Sequence, residues 1–265
     1  MGNLLYFETY GEGQGVVFLH GMVGSVRYWY NLKDLLKAKF QVILIDLLGF
    51  GRSPKNNKLH YTLEEHLTYL HKTLKQINPS QPFVLVGHSM GALLSINYAY
   101  KYPKQVKKLI LIAPPVFKDP KEAKENVIAF SSFPEYFLYG KSAKIICRVF
   151  CNCLRPLTKI WIQQRFDNLP KEVAQDILLH NFNSYSKSLK NLIENQNTFK
   201  IIKYIKCPIL IIYGKKDGRV ILENYQKLKK LNPKIKFVAV ENAEHELSLT
   251  HPEVIIERLI LGVVK

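Results

Sequence analysis

The stretch PFVLVGHSMGALLSINYAY, from Pro82 to Tyr100, limits the possible folds more than any other part of the chain. A short, wholly apolar run passes through a serine flanked by small residues into a longer segment. The apolar run reads as a strand buried on both faces. The segment after it reads as helix until Pro103, where the ring and the missing N–H end the pattern. A strand that enters a helix through Gly87-His88-Ser89-Met90-Gly91 must turn sharply, and small residues on both sides of the serine let strand and helix approach each other. A hydroxyl held at such a turn is a candidate nucleophile.

The rest of the chain repeats the theme of short buried strands and covering helices, the pattern of a mostly parallel sheet. Strands are expected at VVFLHG (Val16 to Gly21), QVILID, KKLILIAPP, PILIIYG (Pro208 to Gly214) and Lys236 to Val240. Ser25 is placed to cap a helix whose apolar positions include Trp29, Leu32, Leu35 and Leu36. Thr62 with Glu65, and Thr250 with Glu253, have capping-box spacing. Between residues 114 and 206 the strand rhythm stops. Helical fragments are expected there at Glu122 to Phe130, Ala143 to Cys153, Leu157 to Phe166 and Glu172 to Tyr185. The organisation read from this is a core of residues 1–113 and 207–265 with a helical lid inserted at 114–206. At 265 residues one large domain of this kind is the default.

Activation of Ser89 requires a base, and the base requires an orienting acid. Asp217 stands in the loop GKKDGR just after the strand ILIIY, and His245 in the loop ENAEHELS after the last strand. Loops at the same edge of a parallel sheet converge in space, so the three side chains can meet. Asp46, at the end of VILI, is the rival acid, but it comes too early for the expected chain order of serine, acid, histidine. His20 and His88 flank glycine turns, and His88 is expected to point away from the side of Ser89. His180 and His251 read as structural or exposed, and Glu241, Glu244 and Glu246 as loop charge. Backbone amides must meet the oxyanion of acyl transfer. Met90, directly after the serine, supplies one, and Met22, in the loop His20-Gly21-Met22, is expected to supply the other.

Taken together, FLHG at 18–21, DLLGFGRS at 46–53, GHSMG at 87–91, the YGKKD loop and AEHELSLTHPE resemble the α/β-hydrolase superfamily. Within it the resemblance is to the lid-bearing group that includes carboxylesterases, carbon-carbon bond hydrolases, cofactor-free haloperoxidases and epoxide hydrolases. It implies an α/β-hydrolase fold with a central mostly parallel sheet flanked by helices, the triad Ser89, Asp217 and His245, and an active site roofed by the lid. It implies no metal or organic cofactor. Two departures matter. The chain has room for only one strand, LLYFETY, before the His-Gly loop, where the family often has a hairpin. Serine at 89 also argues against the epoxide hydrolases and haloalkane dehalogenases of the group, which use aspartate there.

The implied reaction is two-step acyl transfer on a small-molecule carboxylic ester of short to medium acyl chain. Thioesters, monoacylglycerols and lysophospholipids are compatible alternatives. Prolyl aminopeptidase or carbon-carbon hydrolase activity, or a non-catalytic binding role on the same scaffold, ranks below them. Phe130, Phe133, Tyr136, Phe137, Trp161 and Phe166 are candidates for an apolar acyl pocket, or else for the core of the lid itself. The net charge of +17, from 38 Lys and Arg against 21 Asp and Glu, suits anionic or lipid-like substrates and peripheral contact with anionic headgroups. The basic residues are scattered, and the nearest cluster, Lys227, Lys229, Lys230, Lys234 and Lys236, reads as a solvated face, so no nucleic-acid partner is expected. Cys147, Cys151, Cys153 and Cys207 read as free thiols rather than a disulfide framework. With no signal-peptide pattern at MGNLLYFETYGEG and no apolar stretch of spanning length, a soluble cytoplasmic protein is expected.

Overall fold

The computed structural model describes residues 4–79, 82–131, 139–167 and 169–263. Seven strands form one sheet: β1 (Phe7–Tyr10), β2 (Gln14–Leu19), β3 (Phe40–Ile45), β4 (Phe83–His88), β5 (Val106–Ile112), β6 (Ile209–Gly214) and β7 (Ile235–Val240). Their spatial order is β1-β3-β2-β4-β5-β6-β7. β1 runs antiparallel to β3, and every other pairing is parallel. The central strands are buried along nearly their whole length, as strands covered on both faces must be.

Alternation along the strands divides the core into two layers. Val17, Leu19, Leu85, Leu109 and Ile211 point into one, which also takes up helices α2 (Leu63–Ile77) and α3 (Met90–Lys101). Val16, Phe18, Val84, Val86 and Ile212 point into the other, against Trp29 and Leu32. That second face is covered by α1 (Tyr30–Leu36).

Several local signals form as expected and others do not. Thr62 and Glu65 make a reciprocal capping box at the start of α2. The Ser25 hydroxyl accepts from the Arg27 amide, but it caps a short 3-10 turn, Val26–Trp29, and α1 begins only after it. That break rotates Leu35 outward, 58% exposed, so it is not a core position. The second capping box does not form. Thr250 ends the short helix α11 (Leu247–Thr250), its hydroxyl paired with the His251 ring, and α12 (Pro252–Val263) starts on a proline that needs no amide partner.

Between β5 and β6 the regular elements among the described residues are all helical, and include α4 (Pro120–Ala129), α5 (Gly140–Arg148), α6 (Arg155–Arg165), α7 (Lys171–Asp176), α8 (Phe182–Ser188) and α9 (Thr198–Ile201). The expected single helix from Glu172 to Tyr185 is two. Asn181 adopts an extended backbone and its side chain caps α8 in a box with Ser184, a stronger local preference than continuing α7. Beyond β6, α10 (Leu222–Leu231) carries much of the lysine cluster. Lys227 pairs with Glu223 one turn back on the same helix, while Lys229 donates to the Pro233 carbonyl and Lys234 to that of Lys206, so these two cations tie down loops.

Candidate active site

The site lies at the carboxyl end of the sheet, where strand register aligns Leu19 with Gly87, His88 with Ile112 and Gly214 with Val240. The order reverses between β2 and β4, the switch point at which open parallel sheets leave a crevice. The loops leaving β2, β4, β6 and β7 carry Met22, Ser89, Asp217 and His245 to it.

Ser89 has φ 52° and ψ −119°, a conformation that L-residues rarely adopt. It is held from both sides. Its amide donates to the Ile112 carbonyl, and its carbonyl accepts from the amide of Ala92. A Cβ on Gly91 would lie 2.4 Å from the Leu19 carbonyl oxygen, and one on Gly87 would lie 2.5 Å from that of Gly91. The glycines of GHSMG are therefore required by the contact of α3 with β4 and β2.

The Asp217 and His245 loops are laced together by backbone. The Lys215 amide donates to the Val240 carbonyl and the Lys216 amide to that of Ala243. Gly214 permits the contact, since a Cβ there would stand 2.2 Å from the Ala243 oxygen. His245 Nδ1–H consequently donates to Asp217 Oδ2 at 2.7 Å. That bond leaves Nε2 as the acceptor facing Ser89 Oγ at 3.0 Å. Asp217 Oδ1 accepts from the Arg219 amide, an Asx turn that the sequence Asp-Gly-Arg favours. Burial by itself raises the pKa of this carboxyl, but the bond and charge of His245, with the Arg219 amide, outweigh it and hold the pKa below the usual value.

Met90 is the first residue of α3, so its amide has no carbonyl within the helix to donate to and sits at the positive end of the helix dipole. Met22 lines the same cavity as Ser89 and His245, and a Cβ on neighbouring Gly21 would lie 3.1 Å from Ser89 Cβ.

Asp46 does not join this group. Its carboxylate accepts from the Val26 and Arg52 amides, both at 2.6 Å, and fastens the loops after β2 and β3. His20 is likewise structural: the Leu47 amide donates to Nε2, Nδ1–H donates to the Gly21 carbonyl, and burial pushes its pKa down to about 4. His88 takes a packing role. Its buried ring stacks on Tyr28 and packs 4.9 Å from that of His245, with Nε2–H donating to the His245 carbonyl. Glu246 also has more than a loop role, its carboxylate lying 3.9 Å from His88 Nε2. Burial opposes its charge, yet His88, His245 and Arg219 lower its pKa. No signal in the sequence separates these two from their neighbours, because only the packing of the β4 and β7 loops brings them together. His180 and His251 both line the cavity, and the His180 Nδ1–H donates to the Ile177 carbonyl.

The cavity above Ser89 has a volume of about 1160 Å³. Phe130, Trp161 and Phe166 all line it, and Phe166 also packs against a small cluster of Ile162, Ala174 and Leu178. Phe133, Tyr136 and Phe137 lie outside the described residues. Cys153 and Cys207 are free thiols, Cys147 Sγ lies 3.8 Å from His180 Nε2, and the Cys151 side chain lies outside the description. Among the described residues no helix is long and apolar enough to cross a membrane.

Comparison with known proteins agrees with the fold. The chain is 26% identical over 260 residues to a protein named probable lysophospholipase BODYGUARD 1 from Arabidopsis thaliana, covering 88% of this chain and 55% of that one. It thus spans about half the length of that relative. It is 26% identical to Lipase 1 of Psychrobacter immobilis over 243 residues, 88% of this chain and 71% of the lipase. The fold matches the crystal structure of a bromoperoxidase from Bacillus anthracis with a TM-score of 0.77 at 23% identity, covering 98% and 95% of the two chains. The family described as alpha/beta hydrolase fold matches residues 15–252, nearly the whole sheet and all of the loops that meet at Ser89, and the chain belongs to that family.

Proposed function

We propose that this chain is a serine hydrolase that cleaves carboxylic esters through a covalent acyl-enzyme. The observation that carries the reading is the hydrogen-bonded line from Asp217 through His245 to Ser89 at the floor of the cavity. His245 Nε2 takes the proton of Ser89 as Oγ attacks the ester carbonyl. The amides of Met90 and Met22 hold the oxyanion. The protonated His245 gives its proton to the departing alkoxide, and water, deprotonated by the same ring, releases the acid and restores Ser89. Asp217 keeps Nδ1 protonated, so that Nε2 is the base throughout.

Residues 114–206 act in this reading as a helical lid over an acyl pocket walled by Phe130, Trp161 and Phe166. Short to medium acyl esters are the leading substrates. Lysophospholipids are the second reading, favoured by the size and apolar walls of the cavity and by the names of the relatives.

Hydrolysis of p-nitrophenyl esters of increasing acyl length, by the wild type and by Ser89→Ala, tests this. The expected result is turnover with a length optimum that falls by on the order of a millionfold in kcat without the hydroxyl. Equal rates in the two proteins would sink the proposal.

A further inference from the structure

Large exposed apolar side chains concentrate at the helices α5 and α6 and the turn between them. Ile145 is 65% exposed, Leu154 41%, Leu157 65%, Ile160 58% and Trp161 45%. On α6 this is a face and not a scatter. Thr158 and Ile162, four apart and buried, mark the inner side, and Leu157 and Ile160, three apart, mark an outward one, flanked by Leu154 just before the helix and by Trp161, each three or four residues from a buried position. A helix on a soluble surface normally presents the reverse. The same segment is uniformly basic. Lys141, Lys144, Arg148, Arg155, Lys159 and Arg165 occur between residues 140 and 166, with no Asp or Glu. Trp161 and Arg165 also line the cavity above Ser89, so this surface borders the way to it.

We infer that the α5–α6 surface docks on an anionic lipid bilayer. Leu154, Leu157 and Ile160 enter the boundary between headgroups and acyl chains, and the flanking cations lie among the anionic headgroups. A second copy of the chain fits poorly, because a two-fold contact would bring two wholly cationic segments together. A phosphate backbone would leave the apolar face without a partner. Docked in this way, the mouth of the cavity faces the lipid.

The test is co-sedimentation with vesicles of phosphatidylcholine, alone or in a two-to-one mixture with phosphatidylglycerol, using Ser89→Ala as parent. No lipid is then turned over, and the outcome does not depend on the proposed ester chemistry. The parent is expected to bind the mixed vesicles at least about tenfold more tightly than the neutral ones, less so at high salt. Lys144→Gln with Arg148→Gln should weaken binding by about fivefold per charge. Leu157→Gln with Ile160→Gln should weaken it by at least about tenfold, with an unchanged thermal midpoint because both positions are exposed. Lys230→Gln with Lys236→Gln, equal in charge but distant in the fold, should leave binding within about twofold of the parent. No binding by the parent, equal binding to both kinds of vesicle, or equal loss in the Lys230/Lys236 control would overturn the inference. So would an α5–α6 variant that binds as the parent does, or that instead abolishes a dimer formed without lipid.

Discussion

Ser89 concentrates conflicting demands at one residue. Its hydroxyl must reach the His245 ring, and the tight junction between β4 and α3 places it at φ 52°. Such a conformation costs a non-glycine residue about 1–3 kcal/mol, held by the surrounding packing. Ser89→Gly and Ser89→Ala both remove the hydroxyl, but only glycine relieves the backbone. After the extra freedom that glycine gives the unfolded chain, Ser89→Gly should be more stable than Ser89→Ala by about 1 kcal/mol in urea unfolding. Alanine equal to or better than glycine would mean that no strain is stored there. Gly87 and Gly91 have no such latitude, because backbone stands where their side chains would go.

At the level of elements, a buried carboxylate helps to tie the helices between β5 and β6 to the loop after β2. Asp176, at the end of α7, accepts from the Ser25 hydroxyl and pairs with Arg27 at 3.0 Å, joining α7 to the 3-10 turn after β2. Burial raises the Asp176 pKa, and the Ser25 bond and Arg27 offset only part of that rise. The charge is thus kept at some cost for the connection it makes. Asp176→Ala should lower stability by only about 1–2 kcal/mol, since Arg27 is a third exposed and regains water. It should also raise KM for long-chain esters more than it changes kcat, as the cavity wall loses its tether. An unchanged KM with lowered stability would show that α7 holds the fold without shaping the cavity.

Over the whole molecule, acid sensitivity follows from histidines buried as neutral rings. Burial pushes His20 and His88 down to about 4 and His66 down to about 3, from an ordinary value of 6.5. As pH falls from 6.5 towards 4, the unfolded chain binds protons that the native one does not. Stability is therefore complete above 6.5 and declines on acidification. The loss between pH 7 and pH 5 is on the order of 2 kcal/mol per histidine. Urea midpoints at the two pH values should differ accordingly, and His66→Gln should flatten the difference. The same slope in the variant would assign the acid sensitivity to other groups. A depressed carboxyl such as Asp217 acts lower on the scale. Its contribution persists until the pH falls through its own lowered pKa.

The sequence by itself determined most of the strands, the GHSMG turn and the mostly parallel character of the core, because each rests on local pattern: apolar runs too short for helices, and small residues where backbones must touch. It also nominated Asp217 and His245 by their places after strands, and Met22 and Met90 by theirs in two loops. Tertiary structure decided what local pattern cannot encode. It committed Asp46 to the Val26 and Arg52 amides and laid His88 and Glu246 against His245, since loops far apart in sequence meet only through strand register. It broke the segment from Glu172 to Tyr185 at Asn181, where a side-chain cap competes with helix propagation. It also turned Leu157 and Ile160 outward. Periodicity defines a stripe on a helix, but only the packing of Thr158 and Ile162 determines which side faces water.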